Sequence, residues 1–406
     1  MSRSPTVIDI PFDIPQTFRL RMTDEVLGSD AAVLLDLLHA SSDRPPRALC
    51  FVDSSLLEAD RTFFTRLERL FVAASGRVEL MQPPIGIRGG EGCKNDPALV
   101  DDLLATIERY GLDRRSYVIV FGGGALLDVV GYAAAIAHRG IRLIRLPSTT
   151  LAQADSGVGV KNAVNWFGKK NWKGTFAVPW GVINDHSLLR TLPEREFLSG
   201  FSEVVKVSLL KSKEHFSRLE SDALRIATRD DRATRAAIAA SVRLHLDHIT
   251  REGDPFEIRE ARPLDFGHWS AHRLEGLSGY QIPHGEAVAI GVAIDTLYSA
   301  KVLGFPQRDL QRVLACLRRL KLPLGHPLLA DEKPLLEGLE EFRQHLGGRL
   351  TVTLLKGIGQ PVDVHQIELS AMREAIQEAL ALEQNHTIPS QQTPPREHAS
   401  EQSTAG

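Results

Sequence analysis

From Arg47 to Pro147 short apolar runs alternate with stretches whose apolar residues recur every three or four positions. RALCFVD (47–53), RVELM (77–81), SYVIVFGGG (116–124) and IRLIRLP (141–147) read as strands. LLEADRTFFTRLERLFVAA (56–74), LVDDLLATIERYGL (99–112) and the run onward from Gly124 to His138 read as helices. Strands that alternate with helices predict a parallel sheet covered on both faces, a nucleotide-binding architecture in outline. From about Pro193 the period of three to four takes over, in FLSGFSEVVKVSLL, ATRAAIAASVRLHLDHI and HGEAVAIGVAIDTLYSA. Strand candidates are nearly absent there until RLTVTLL (349–355), so the second half is expected to be mostly helical. After about Glu383 the chain is polar, contains Pro and Ser, lacks periodicity and reads as a disordered tail.

A chain of 406 residues exceeds what one hydrophobic core holds and suits two domains. The formal net charge of −3 gives no reason to expect a general affinity for nucleic acid or an anionic membrane, so any phosphate site has to be local. Cys50, Cys93 and Cys316 are far apart and form no CxxC pair, which argues against a disulfide framework and a thiolate zinc site and fits a reducing compartment. No apolar run reaches the length of a membrane span, and the opening segment lacks the apolar core of a signal peptide. A soluble, cytoplasmic protein is expected.

Four stretches concentrate chemistry. In SYVIVFGGGALLDVV a strand runs into Gly122, Gly123 and Gly124 and then into a helix expected to carry Asp128 in its first turn. Glycines let a ligand approach the backbone, and a helix N-terminus offers free N–H groups to a phosphate; the same cluster can be only a tight turn, and Asp128 only a dipole partner. GGEGCKNDP places Glu91 and Lys94 in a glycine-rich loop, with Asp96 as the expected N-cap and Pro97 at the first helical position. LPSTTLAQADSGVGVKNAVNWFGKKNWKGTFAVP gathers Ser148, Thr149, Asp155, Lys161, Lys170 and Asn171 among glycines, a composition read as a ligand-approaching loop whose donors suit phosphate oxygens.

The fourth stretch, LDFGHWSAHRLEGLSGYQIPHGEAVA, holds His268, His272 and His284. His268 and His272 share a helix face, and His284 opens the next helix. Two histidines from separate elements can meet one ion, and a carboxylate would complete a site that keeps a position open for substrate. Glu203 of GFSEVVK, in a mostly apolar helix, is the best candidate, since an unpaired charge there is costly. The alternative is a set of hydrogen-bonded core histidines.

Together these pieces resemble the 3-dehydroquinate synthase family, the parent of the sugar phosphate cyclases. The motifs occur in order over roughly residues 50 to 360: GE..K at Gly90, GGG...D at Gly122, P(S/T)T.LAQ.DS..G.K from Pro147 to Lys161, GKKN at Gly168, LP.RE...GF.EVVK from Leu192 to Lys206, then GH...H..E and HGEAVAIG. The resemblance implies an α/β Rossmann-like NAD domain (1–192), a mostly α-helical metal- and substrate-binding domain (193–383) and a tail (384–406). It implies NAD contacts at Asp53, Glu91, Lys94, Gly123, Gly124, Asp128, Ser148, Thr149, Asp155 and Lys170. A divalent metal, Zn²⁺ or Co²⁺, is implied at Glu203, His268 and His284, and catalytic or substrate-binding positions at Lys161, Asn171, Lys206 and His272. Arg139 falls on a position that in the family reaches the substrate phosphate of the neighbouring subunit, which implies a homodimer.

The activity implied is a carbon–oxygen lyase acting on a sugar phosphate: transient alcohol oxidation, phosphate β-elimination, re-reduction and aldol closure to a carbocycle. A metal-dependent polyol dehydrogenase and a non-catalytic NAD-binding scaffold are the alternatives. The chain departs from the family's substrate-carboxylate pattern, with Ala261 where an arginine is expected, Asp265 for an asparagine and His245 or a neighbour for a lysine. Arg243, Arg259 and Arg262 are the nearby cations that could compensate, and Trp269 either reshapes the pocket or is a packed helix aromatic. The stretches GDPFE, RPLDFGHW and GKKNWKGTF resemble an uncharacterised branch associated with secondary-metabolite clusters more than the shikimate-pathway enzymes or known valiolone synthases.

Overall fold

The computed structural model describes residues 8–40, 44–252, 254–256, 263–345 and 348–387. Ala261 and the candidate cations Arg259 and Arg262 lie outside the described residues.

The N-terminal half is built on one parallel sheet. Its strands are β1 (Leu20–Thr23), β2 (Arg47–Asp53), β3 (Glu79–Leu80), β4 (Ile85–Ile87), β5 (Tyr117–Gly122) and β6 (Arg142–Pro147), joined after the hairpin described below by β9 (Gly181–Asp185). The order is β1-β9-β6-β5-β2-β3, with β4 also on β2, and every pairing is parallel. Period two along β5 explains the burial: Tyr117, Ile119 and Phe121 face the helix Phe63–Ala73, while Val118 and Val120 face Pro97–Arg109 and Gly124–Ile136. Each large apolar side chain so buried contributes about 1.5–3 kcal/mol.

The expected helix over 56–74 is two helices, Ser54–Ala59 and Phe63–Ala73. Asp60 breaks it: its Oδ1 accepts from the Thr62 amide at 2.9 Å and from the Thr62 hydroxyl at 2.7 Å, a local turn that competes with helix. The polar segment read as a loop is in large part an antiparallel hairpin, β7 (Lys161–Trp166) with β8 (Lys169–Phe176), preceded by the short helix Thr150–Ala154. Its two-residue turn, Phe167–Gly168, has φ of 52° and 70°, the positive pair that a type I′ connection needs.

From Glu194 onward the regular elements among the described residues are helices, except for the hairpin β10 (Val352–Gly357) with β11 (Gln360–Val364). The central helix His284–Val302 is buried from Gly285 to Ser299 at every residue but Glu286, as its all-round apolar sequence dictates. One continuous core joins it to Phe201–Lys211, Leu369–Thr387 and, in the N-terminal half, Ala154, Val158 and Val182. The last helix runs to Thr387, four residues into the segment expected as tail, because ALALEQN keeps the helical pattern past Glu383. Among the described residues no helix is long and apolar enough to cross a membrane.

Candidate active site

Three elements converge on one buried carboxylate. Helix Phe201–Lys211 is buried at every position from Phe201 to Leu210, and Glu203, 1% exposed, lies in its first turn. Gly267 takes φ of 77°, and a Cβ there would meet the Val292 amide nitrogen at 2.7 Å, so glycine lets the next helix start against His284–Val302 with His268 at its first position. Asp295 fixes that turn by accepting from the Gly267 amide at 2.8 Å and the Trp269 indole at 2.9 Å, which makes Trp269 a packed and anchored aromatic. His284 opens its own helix behind Pro283.

His268 Nε2 and His284 Nε2 stand 3.4 and 3.5 Å from Glu203 Oε1. A tetrahedral ion with bonds of about 2.0–2.2 Å separates its ligands by about 3.4 Å, so both Glu203 edges match such an ion, and all three donors lie within 4.8 Å of one another. Lys206 Nζ is 2.5 Å from Glu203 Oε2, yet neither Glu203 oxygen receives a directed hydrogen bond. The Lys206 ammonium balances this carboxylate from the Oε2 side, which leaves Oε1, facing both imidazoles, open to a metal cation. Burial by itself would raise the Glu203 carboxyl; Lys206, His268 and His284 override it and hold it well below the usual carboxylate range. Burial likewise pulls the Lys206 ammonium down, and Glu203, Asp155 and Asp265 more than restore it.

His272 follows His268 by one turn, is exposed, and stacks on His284 with ring centres 6.0 Å apart. Glu275, on the same helix face, closes the GH...H..E motif but had no role assigned from the sequence. It is 3% exposed, and its Oε1 accepts from Lys170 Nζ at 2.7 Å while its Oε2 lies 3.2 Å from His284 Nδ1. The signal was available in HWSAHRLE, where Glu275 is seven residues from His268 and three from His272.

The glycine loop forms a second cluster at the C-terminal ends of β2, β5 and β6. None of Gly122, Gly123 and Gly124 has a positive φ, so they serve close approach rather than a left-handed turn: a Cβ on Gly123 would meet Thr149 at 3.2 Å and one on Gly124 would meet Ser156 at 2.6 Å. The helix begins at Gly124, which puts Asp128 in its second turn rather than its first. Asp128 is no dipole partner; its Oδ2 binds buried Lys94 Nζ at 2.6 Å, and Lys94 also donates to Asn171 Oδ1. Glu91 Oε1 accepts from Asn165 at 3.1 Å. Asp53 caps the helix after β2, its Oδ1 accepting from the Ser55 amide at 3.0 Å, and Thr149 caps Thr150–Ala154. Ser148, 5% exposed, donates its amide to Gly122 O at 2.9 Å. Asp96 caps Pro97–Arg109 as expected.

Asp155 lies near the first cluster, close enough for Glu203 and Lys206 to act on its carboxylate. His245 Nδ1 is 3.1 Å from its Oδ1, close enough for an ion pair though not aligned as a hydrogen bond. Lys161 opens β7 at the surface, and its carbonyl accepts from the fully buried Arg145 at 2.9 Å; that guanidinium also holds Gly157 O and Gly159 O and shapes the loop. Arg139 is not brought here. It follows the helix that returns from Gly124 and so lies at the N-terminal edge of the sheet, beside Arg114, Arg115 and His138.

Residues 84–199 match the 3-dehydroquinate synthase N-terminal family model and residues 200–341 the C-terminal one. The chain belongs to the 3-dehydroquinate synthase family. The 3-dehydroquinate synthase of Ruegeria sp. (strain TM1040) is 36% identical over 284 residues, 68% of this chain and 74% of that protein. Among solved structures, 2-epi-5-epi-valiolone synthase from Streptomyces hygroscopicus subsp. jinggangensis 5008, with NAD⁺ and Zn²⁺ bound, superposes with a TM-score of 0.83 at 25% identity, over 92% of this chain and all of that one. A 2-deoxy-scyllo-inosose synthase complexed with carbaglucose-6-phosphate, NAD⁺ and Co²⁺ shares the fold, with a TM-score of 0.73, 23% identity, and 88% and 96% coverage. Within the 3-dehydroquinate synthase family, the expected residues other than Arg139 gather here in and around two clusters, joined by adjacent hairpin residues: Asn171 meets Lys94, and Lys170 meets Glu275.

Proposed function

We propose that the protein is an NAD- and metal-dependent sugar phosphate cyclase acting on a phosphorylated ketose without a carboxylate. The observation that carries the reading is the buried Glu203, orphaned of directed hydrogen bonds and flanked by His268 and His284 at tetrahedral-edge distances. NAD would lie against Gly123 and Gly124, with Asp53, Glu91, Lys94, Asp128, Ser148, Thr149 and Asp155 around it. Zn²⁺ or Co²⁺ would be held by Glu203, His268 and His284. When bound, NAD⁺ supplies reversible hydride acceptance and the cation supplies polarisation of an alcohol or carbonyl oxygen.

The overall reaction oxidises a secondary alcohol transiently, expels phosphate by β-elimination, restores the alcohol and closes the ring by an intramolecular aldol step, with no net oxidation. Lys206 sets a fixed positive charge beside Glu203, where negative charge develops on a substrate oxygen. Lys161, Asn171 and His272 are the donors for the phosphate, which can itself take up the neighbouring proton as it leaves. Arg139 acts from a second subunit of a homodimer, since within one chain it lies at the far edge of the sheet.

Asp265 supports the substrate assignment: it lies close enough to Lys206 to raise its basicity. A substrate carboxylate beside Asp265 would be opposed by about 1–4 kcal/mol. The similarity to a valiolone synthase fits the same reading. The test is phosphate release from sedoheptulose 7-phosphate and from 3-deoxy-arabino-heptulosonate 7-phosphate. Preference for the first supports the assignment, and turnover of the carboxylated sugar at the higher kcat/KM overturns it.

A further inference from the structure

We infer that Glu275, anchored by Lys170, is a positioning residue for His284, so that the β7–β8 hairpin sets how well the Glu203–His268–His284 site holds its metal. The inference rests on the metal reading above and adds two residues that do not touch the ion.

The imidazole of His284 is used on both sides. Its Nε2 faces Glu203 Oε1 at 3.5 Å, and its Nδ1 lies 3.2 Å from Glu275 Oε2. A ring that donates Nδ1–H to a carboxylate is fixed in tautomer and rotation, and its Nε2 lone pair then points at the site. Glu275 is held in turn. Its Oε1 accepts from Lys170 Nζ at 2.7 Å, and its backbone carbonyl accepts from the Tyr280 amide at 2.8 Å and the Ser278 hydroxyl at 3.0 Å, which tie the helix end to the turn leading to His284.

His272, Glu275 and His284 also lie within range of one another as an alternative ligand set. The structure favours the positioning role, because both Glu275 oxygens are already engaged while neither Glu203 oxygen has a directed donor. Lys170 comes from a strand 105 residues away in sequence, next to Asn171, which receives Lys94. The hairpin therefore touches the metal cluster and the glycine-loop cluster with consecutive side chains.

The experiment is Co²⁺ affinity, by competition with a chromogenic chelator, together with the visible spectrum of the bound ion, on wild type, E275Q, E275A, K170M and E275Q/K170M. The wild-type measurement comes first; if wild type binds no Co²⁺, the metal reading and this inference both fall. If it binds, removal of Glu275 is expected to weaken binding about 10- to 100-fold and to alter the spectrum. K170M is expected to weaken binding in wild type and to add nothing in the E275Q background. Wild-type affinity and spectrum in E275Q and E275A overturn the inference, as does loss of Co²⁺ in H272A with retention in E203Q, which would make Glu275 a ligand. Thermal unfolding of each variant in chelator separates the two roles, because a purely structural Glu275 would lower the melting temperature and leave the affinity unchanged.

Discussion

Replacing Lys206 by methionine isolates the charge balance of the site. Lys206 Nζ is 2.5 Å from Glu203 Oε2, and both side chains are at most 3% exposed. At an effective dielectric of about 20 the attraction at that distance is roughly 6–7 kcal/mol. Breaking a buried pair by removing one partner typically costs about 3–5 kcal/mol, because the remaining charge is stranded. In K206M the stranded charge is the proposed metal ligand, so a bound cation takes over what the ammonium did. Without metal K206M should lose about 3–5 kcal/mol, a fall in melting temperature on the order of 10 °C; with saturating Zn²⁺ the deficit should shrink by about 2–3 kcal/mol. By linkage the same coupling appears as roughly 30- to 150-fold tighter metal binding, although catalysis is lost. Thermal unfolding in chelator and in Zn²⁺, with a competition titration, measures both. An equal deficit with and without Zn²⁺, at unchanged affinity, would refute the placement of the ion against Glu203.

Asp295 is fully buried, and burial pushes its carboxyl up to about 7 despite the Trp269 and Gly267 donors. A raised acid binds its proton more tightly in the folded state, so its stabilising effect is complete below pH of about 4 and is lost as pH rises through 7; D295N should therefore gain up to about 4 kcal/mol on wild type between pH 4 and 8, read by denaturant unfolding. A Cβ on Gly291 would stand 2.0 Å from the Gly267 carbonyl oxygen, so G291A should destabilise by about 1–3 kcal/mol or more and weaken metal binding, since Gly267 leads into His268. D265N should raise kcat/KM for a carboxylated sugar phosphate relative to an uncarboxylated one by roughly tenfold or more, given the repulsion it removes.

The parallel sheet was legible because its strands are buried on both faces and read as continuous apolar runs, as in VIVFG of β5. The β7–β8 hairpin was not, since KNAVNW and KKNWKGTF mix lysine and asparagine in strands of which β8 is largely exposed, and its turn puts Phe167 where Asn or Asp usually signals the type I′ geometry. Glu203, His268 and His284 stood out as ligand candidates through the resemblance, and the structure brings both imidazoles to 3.4 and 3.5 Å from the Glu203 carboxylate. Glu275 did not stand out, because its importance lies in Lys170, a partner from another element that spacing along one helix cannot reveal. Arg145 escaped for the same reason: an arginine in a buried strand makes sense only once three loop carbonyls surround it.

The central claim is most directly tested by following phosphate and nicotinamide absorbance together as the purified protein, with NAD⁺ and Zn²⁺ or Co²⁺, acts on sedoheptulose 7-phosphate and related sugar phosphates. The account predicts phosphate release and a carbocyclic product with no accumulation of NADH. NADH accumulating without phosphate release, as a polyol dehydrogenase would give, or no phosphate release from any of these substrates, would contradict it.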